Sequence, residues 1–246
     1  MFNPCAVIPV YNHEQALQET VDSVLAFNLP VVLIDDGSNK TCKQVMSDIA
    51  HNIENVSLIT RDKNGGKGAA VKTGLQHALK AGYTHALQID ADGQHNPDDI
   101  PIFLKSAENN KSSLIAGIPR YDESIPKGRL YGRYLTHIWV WINTLSFKIT
   151  DSMCGFRVYP LVASTTLIEG NHTGDRMDFD PEFIVRWHWE NLPIHEIPTT
   201  VTYPKDGISH FLAWKDNKLI SIMHTRLFFG MLIRSPKFIW QRFFGA

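Results

Sequence analysis

The chain of 246 residues has the length of one domain, or of one domain with a short appendage. With 43% hydrophobic and 20% charged residues it is neither a disordered polymer nor a protein that spends most of its length in a bilayer. Lys and Arg number 24 against 25 Asp and Glu, a net charge of -1, which excludes the broad basic field of a nucleic-acid binder.

Short apolar runs alternate with amphipathic stretches through the first half, at the spacing of βα units. Residues 5–10, 31–34, 56–60, 85–89 and 113–117 are expected strands, apolar enough for a sheet covered on both faces. Residues 14–26, 41–50, 68–81 and 97–107 are expected helices. The last opens Asn96-Pro97-Asp98-Asp99, a capping side chain, then proline and acids in the first turn. The rhythm then changes. Residues 129–147 carry Tyr131, Tyr134, Trp139, Trp141 and Phe147 and read as a helix apolar over much of its circumference, buried or membrane-facing. Residues 151–159 read as a loop and strand, 181–190 as a helix and 194–203 as an extended segment.

Cys5, Cys42 and Cys154 cannot all pair within one chain, and their spacing fits neither a zinc site nor a disulfide scaffold, so a reducing cytoplasm is expected. Residues 1–13 hold two prolines and no basic leader, and read as a first strand rather than a signal peptide. No window of about 18 apolar residues exists, so no helix is expected to cross a bilayer unaided.

Ligands of open α/β sheets collect at the carboxyl ends of strands, and three motifs fall there. Asp35-Asp36-Gly37-Ser38 ends one apolar strand; carboxylates there accept from a base N–H or a ribose hydroxyl, or cap the next helix. Asp90-Ala91-Asp92-Gly93-Gln94 ends another, and a hard divalent cation wants such oxygen ligands, with substrate phosphates completing its shell. A second Asp-x-Asp, Asp178 and Asp180, follows no strongly apolar strand. Between strand and helix, Asn64-Gly65-Gly66-Lys67-Gly68 offers close backbone approach, one cation and a helix N-terminus that favours anions, or simply a helix cap.

In order, Pro9-Val10-Tyr11-Asn12, the Asp35 turn, the Lys67 glycine loop and Asp90-Ala91-Asp92 resemble the donor-binding half of family 2 glycosyltransferases with the GT-A fold. Gly117-Ile118-Pro119-Arg120, Asp151-Ser152-Met153-Cys154-Gly155-Phe156-Arg157 and Phe179-Asp180-Pro181-Glu182 resemble segments of its dolichyl-phosphate mannose and glucose synthase branch. The resemblance spans residues 4–212 and is nearest to short bacterial members without transmembrane helices. It implies an α/β fold with a mostly parallel central sheet flanked by helices, and an inverting transfer from a UDP- or GDP-sugar.

Residue by residue, the resemblance implies that Pro9, Tyr11 and Asn12 line the nucleotide, Asp35 meets the base and Lys67 lies near it. Asp90, Ala91 and Asp92, helped by Gln94, would hold Mg2+ or Mn2+ on the diphosphate, where charge develops on the leaving group. A polyprenyl phosphate acceptor needs no strong base and calls for Arg120, Arg133 and Arg129 to orient it. A hydroxyl acceptor on an envelope lipid needs a proton taken, for which Asp151, Asp180, Glu182 and His210 are candidates, with bracing or helix-capping as their alternative. Residues 203–210 resemble a late arginine-containing motif of the lipid-phosphate synthases, with Lys205 where arginine is usual and His210 where lysine is common.

Residues 1–212 are therefore expected to form the catalytic domain, and 213–246 an amphipathic helical segment. From 221 onward Arg226, Arg234, Lys237 and Arg242 accompany six aromatics and no acid, the ingredients of an interfacial anchor or of ordinary packing. The expected setting is the inner face of the cytoplasmic membrane, with a nucleotide sugar and a lipid-linked acceptor as partners and no nucleic acid. Two alternatives are a sugar-1-phosphate nucleotidyltransferase, whose glycine loop would directly follow the first strand, and a degenerate nucleotide-binding scaffold, which would lack one of Asp90 and Asp92.

Overall fold

The computed structural model describes residues 1–121, 127–202 and 211–244, the side chains of 127, 129 and 237–244 excepted. The five expected strands of the first half form as β1 (Pro4–Val10), β2 (Val31–Asp35), β3 (Val56–Thr60), β4 (His85–Gln88) and β5 (Leu114–Tyr121). Between them run α1 (Glu14–Leu25), α2 (Lys40–Asn52), α3 (Lys67–Lys80) and α4 (Ile100–Asn109). Pro97–Asp99 is a 3-10 turn ahead of α4, because Asn96 caps only that turn, accepting from the Asp98 amide at 3.2 Å. The second half supplies α5 (Lys127–Thr144), β6 (Arg157–Pro160), α6 (Leu161–Gly170), α7 (Phe179–Trp189), β7 (Ile194–Val201) and α8 (Ala213–Phe244).

The sheet has seven strands in the order β3-β2-β1-β4-β6-β5-β7. It is parallel except for β6, which runs antiparallel to both β4 and β5. Successive side chains of β1 enter opposite layers: Val7 joins the core under α3, α6, α7 and α8, whereas Ala6 and Ile8 join the core under α1, α2 and α4. Burying one such side chain contributes about 1.5–3 kcal/mol, so both layers hold the sheet rigid beneath its loops.

α8 is one helix from Ala213 to Phe244, within the helical segment expected over 213–246. Its Ile220, Met223, Leu227 and Met231 belong to the same core as α7 and α3. Chain order places β2 and β3 on one side of β1 and β4 on the other. The carboxyl ends of β1 and β4 thus flank the point where winding reverses, the place where open α/β sheets leave a crevice for ligands.

Candidate active site

At the end of β1, Asn12 adopts a positive φ of 54° and accepts from the Asn39 amide at 2.7 Å, while its own amide donates to Ser38 Oγ at 3.2 Å. It ties the β1 loop to the β2 loop. Pro9, half-buried, sits opposite Ile34 in the ladder, and Tyr11 is likewise half-buried.

The two acids ending β2 have separate tasks. Asp35 Oδ1 accepts from the Ser38 amide at 2.7 Å, whereas its buried Oδ2 has no hydrogen-bond partner. Asp36 faces the glycine loop: Oδ1 accepts from Arg61 Nε and the Gly65 amide, both at 2.9 Å, and Oδ2 from the Gly66 amide at 2.7 Å. Of the two readings of the glycine loop, the amides of Gly65 and Gly66 take the capping one. The anion at the start of α3 is the protein's own Asp36, and the Ala69 amide donates to the Asp175 carbonyl. The glycines are needed for closeness. A Cβ on Gly37, at φ 74°, would lie 2.6 Å from the Asn64 nitrogen, and one on Gly66, at φ 103°, 2.6 Å from the Asp175 oxygen.

Lys67, the first residue of α3, reaches the end of β4. Its Nζ lies 2.8 Å from Asp90 Oδ2 and 3.2 Å from Asp180 Oδ2. The second Asp-x-Asp thus delivers Asp180, one of the candidate bases, to the first. Burial works against the Lys67 charge, but Asp180 and Asp90 outweigh it and hold the ammonium above its ordinary pKa. For Asp90 burial is likewise outweighed, by Lys67 and then His95, leaving its carboxyl well below the usual range. His95 stacks on Phe156 with Nε2 3.7 Å from Asp90 Oδ2. Asp92 is half-exposed, its Oδ1 accepting from the Gln94 amide at 3.1 Å.

The loop before β6 closes this cluster. A Cβ on Gly155 would lie 2.6 Å from Lys67 Nζ and 3.0 Å from Asp90 Oδ2, so a side chain there would displace the ends of both. Fully buried Arg157 donates to the Asp180 carbonyl at 2.9 Å and the Ser152 carbonyl at 2.7 Å. Asp90 Oδ1, Asp180 Oδ1, Gln88 Nε2, His95 Nδ1 and Arg157 Nε are buried without hydrogen-bond partners. Such a concentration of polar atoms is open to hydrogen bonds from a ligand, an ion or water.

Asp151 lies outside this cluster of open groups. Arg133 grips it through Nε and Nη2, both at 2.5 Å, and His137 Nε2 is 3.2 Å away. The Met153 and Cys154 amides donate to it at 2.9 and 2.8 Å, and its own amide donates to Glu196. Burial would raise its pKa, but His137 and Arg133 hold the carboxyl well below the usual range. Glu182 is equally committed: Arg186, Arg226 and the Gly174 amide all donate to it, tying α7 to α8. Arg120 is exposed at the end of β5, and the Arg133 guanidinium lies 5.3 Å from the Tyr121 ring centroid. Lys205, His210 and the Arg129 side chain lie outside the described residues.

Among the described residues no three His, Cys, Asp or Glu side chains converge on a point that would hold a metal by themselves. The donor set still fits a hard cation shared with a ligand: Asp90 Oδ1 is partnerless beside half-exposed Asp92, and phosphate oxygens supply the rest. Sequence reasoning did not single out Asp36, His95, Gln88 or Arg157 as site-forming. Arg157 stands inside the 151–157 segment and His95 directly follows Gln94, which was the available signal; Gln88 is an ordinary strand residue.

The family model of glycosyl transferase family 2 matches residues 5–167. A dolichyl-phosphate beta-glucosyltransferase of Trichomonas vaginalis is 26% identical over 213 residues, covering 78% of this chain and 63% of the relative. The chain therefore spans less than two thirds of that relative. A UDP-N-acetylglucosamine–dolichyl-phosphate N-acetylglucosaminyltransferase of Methanococcus voltae is 26% identical over 215 residues, 80% of this chain and 84% of the relative. Among solved structures, glucosyl-3-phosphoglycerate synthase of Mycobacterium tuberculosis in complex with Mn2+, UDP-glucose and phosphoglyceric acid superposes with a TM-score of 0.67. It shares 12% identity and covers 94% of this chain and 79% of that one, a likeness of fold.

Proposed function

The chain belongs to glycosyl transferase family 2, and from that premise we propose that it transfers a sugar, with inversion, from a nucleoside-diphosphate sugar to a polyprenyl phosphate. The observation that carries this is the partnerless Asp90 Oδ1 beside Asp92, at the point of the sheet where a ligand crevice is expected. Relatives whose names specify dolichyl phosphate and UDP-N-acetylglucosamine support the substrate classes.

Asp90 and Asp92, with Gln94 nearby, would hold Mg2+ or Mn2+, which stabilises negative charge on the departing diphosphate when bound. Asp35 offers its Oδ2, which accepts no hydrogen bond and lies 3.9 Å from Lys43 Nζ, to a base N–H, and Pro9 and Tyr11 line the nucleotide. Asn12 and Asp36 keep the three donor loops in register through the bonds described above. A phosphate acceptor is already an anion, so no proton need be taken from it. Arg120 and Arg133, with Arg129 and Lys205, are assigned to orient it; Asp151 takes the Nε and Nη2 of Arg133, so Arg133 offers its charge and remaining N–H groups. For a hydroxyl acceptor Asp180 is the favoured base, because its Oδ1 accepts no hydrogen bond, with Arg157 Nη1 4.0 Å away, whereas Asp151 and Glu182 are fully hydrogen-bonded.

The acceptor also explains the exposed apolar face of α5 and α8. Tyr131, Tyr134, Leu135 and Ile138 on α5, and Trp214, Phe229 and Ile233 on α8, are all exposed. Trp139 stacks on His224, joining the two helices. No helix among the described residues is long and apolar enough to cross a membrane. We assign this face to the surface of the membrane that carries the lipid acceptor, at its cytoplasmic side.

The test is nucleotide release by purified protein with Mn2+ and a panel of UDP- and GDP-sugars, with and without polyprenyl phosphate. Lipid-dependent turnover with one sugar nucleotide is expected. No turnover and no metal-dependent nucleotide binding would overturn the proposal.

A further inference from the structure

The free site already contains a cation beside the carboxylate assigned to the metal. Lys67 Nζ is 2.8 Å from Asp90 Oδ2 and bridges to Asp180 Oδ2 at 3.2 Å, enclosed by the glycine at 155. A second fixed positive charge follows, Arg157 Nη1 lying 4.0 Å from Asp180 Oδ1. Counting Asp92, three carboxylates face two cations, so most of the negative charge that would draw a divalent ion is cancelled from within. Coulomb repulsion between a divalent ion and an ammonium on the same carboxylate is strong in a partly buried site.

We propose that Lys67 is a resident counter-ion that weakens divalent-cation binding at Asp90 in the free protein and makes tight binding conditional on the donor's diphosphate. The inference rests on the donor and metal reading above and deepens it. A diphosphate restores the missing negative charge and adds oxygens to the cation's shell, while Lys67 keeps Asp90 in place. Lys67 is in this sense a positioning residue, and its removal has a signature that loss of a mere packing contact lacks: tighter metal binding.

The experiment is Mn2+ titration of the full chain, read by the free-ion electron paramagnetic resonance signal, with protein-free Mn2+–nucleotide mixtures subtracted. Wild-type protein should bind Mn2+ at least about tenfold more tightly with UDP or GDP than without. Lys67→Met should bind Mn2+ alone at least about tenfold more tightly than wild type, and Lys67→Arg should keep the wild-type pattern. Lys67→Gln, which keeps hydrogen-bonding capacity without charge, carries the same expectation should the methionine variant fail to fold. Unchanged Mn2+ affinity in the neutral variants, or wild-type affinity indifferent to nucleotide, overturns the counter-ion role. Calorimetry with UDP and GDP separates the two readings: retained nucleotide binding leaves the donor site standing when the counter-ion role fails. Loss of all nucleotide binding refutes the donor reading and the conditional binding with it.

Discussion

Replacing Asp151 by asparagine separates a bracing carboxylate from a proton-taking one. The side chain is 5% exposed and Arg133, its bidentate partner, 15%. Asparagine keeps one acceptor oxygen, which can still serve the Met153 and Cys154 amides. Its amide nitrogen then faces Arg133 Nε, donor against donor, and leaves a mostly buried guanidinium without a counter-charge. Breaking a buried ion pair by removing one partner costs about 3–5 kcal/mol, a large share of the roughly 5–15 kcal/mol that stabilises a domain. Urea unfolding at pH 7.5, followed by tryptophan fluorescence, should show a loss of about that size. Arg133→Met combined with Asp151→Asn should recover part of it, since the orphaned charge is gone. A single variant within about 1 kcal/mol of the parent that nevertheless loses all transfer would refute the bracing role and return Asp151 to the candidate bases.

Asp92→Ala should abolish metal-dependent turnover yet change unfolding free energy by no more than about 1 kcal/mol, since its one described bond is to the Gln94 amide. Acid should destabilise the fold in a defined window. Burial pushes His224 down to about 4, so between its unfolded value near 6.5 and about 4 the unfolded chain binds the extra proton and stability falls as pH falls. Up to roughly 3 kcal/mol is lost across that window, and His224→Leu should flatten it in urea titrations at pH 7 and 4.5. Asp90 and Asp151, held below the usual carboxylate range, add stability that disappears only as pH falls below about 4. Flotation with anionic vesicles should recover the wild-type chain, whereas Tyr134→Ser with Phe229→Ser should leave it in the unbound fraction without altering nucleotide binding; equal recovery of both contradicts the membrane-facing assignment.

The first four strands and their helices were legible because each is a plain apolar run between polar stretches. Residues 161–170 did not announce a helix: Leu161, Leu167 and Ile168 are buried with Ser164 and Thr165, and such a surface gives little amphipathic contrast. Nor does residue type reveal that β6 is antiparallel, or that Arg157 within it is fully buried. The Asp-x-Asp at 90–92 was recognisable from the strand before it. The division of labour between Asp35 and Asp36 was not, because it depends on a glycine loop about 30 residues onward folding back on one carboxylate. Asp180 was a candidate from its 179–182 segment, but its ion pair with Lys67, a contact across 113 residues of chain, is encoded by no local pattern.

Asp90 and Asp92 are proposed to hold a cation on the donor's diphosphate. A crystal structure with Mn2+ and the sugar nucleotide that supports turnover tests it most directly. Anomalous density for manganese is expected within coordinating distance of Asp90 Oδ1, an Asp92 carboxylate oxygen and the diphosphate. A nucleotide bound elsewhere, with both carboxylates turned into protein contacts, would contradict the account.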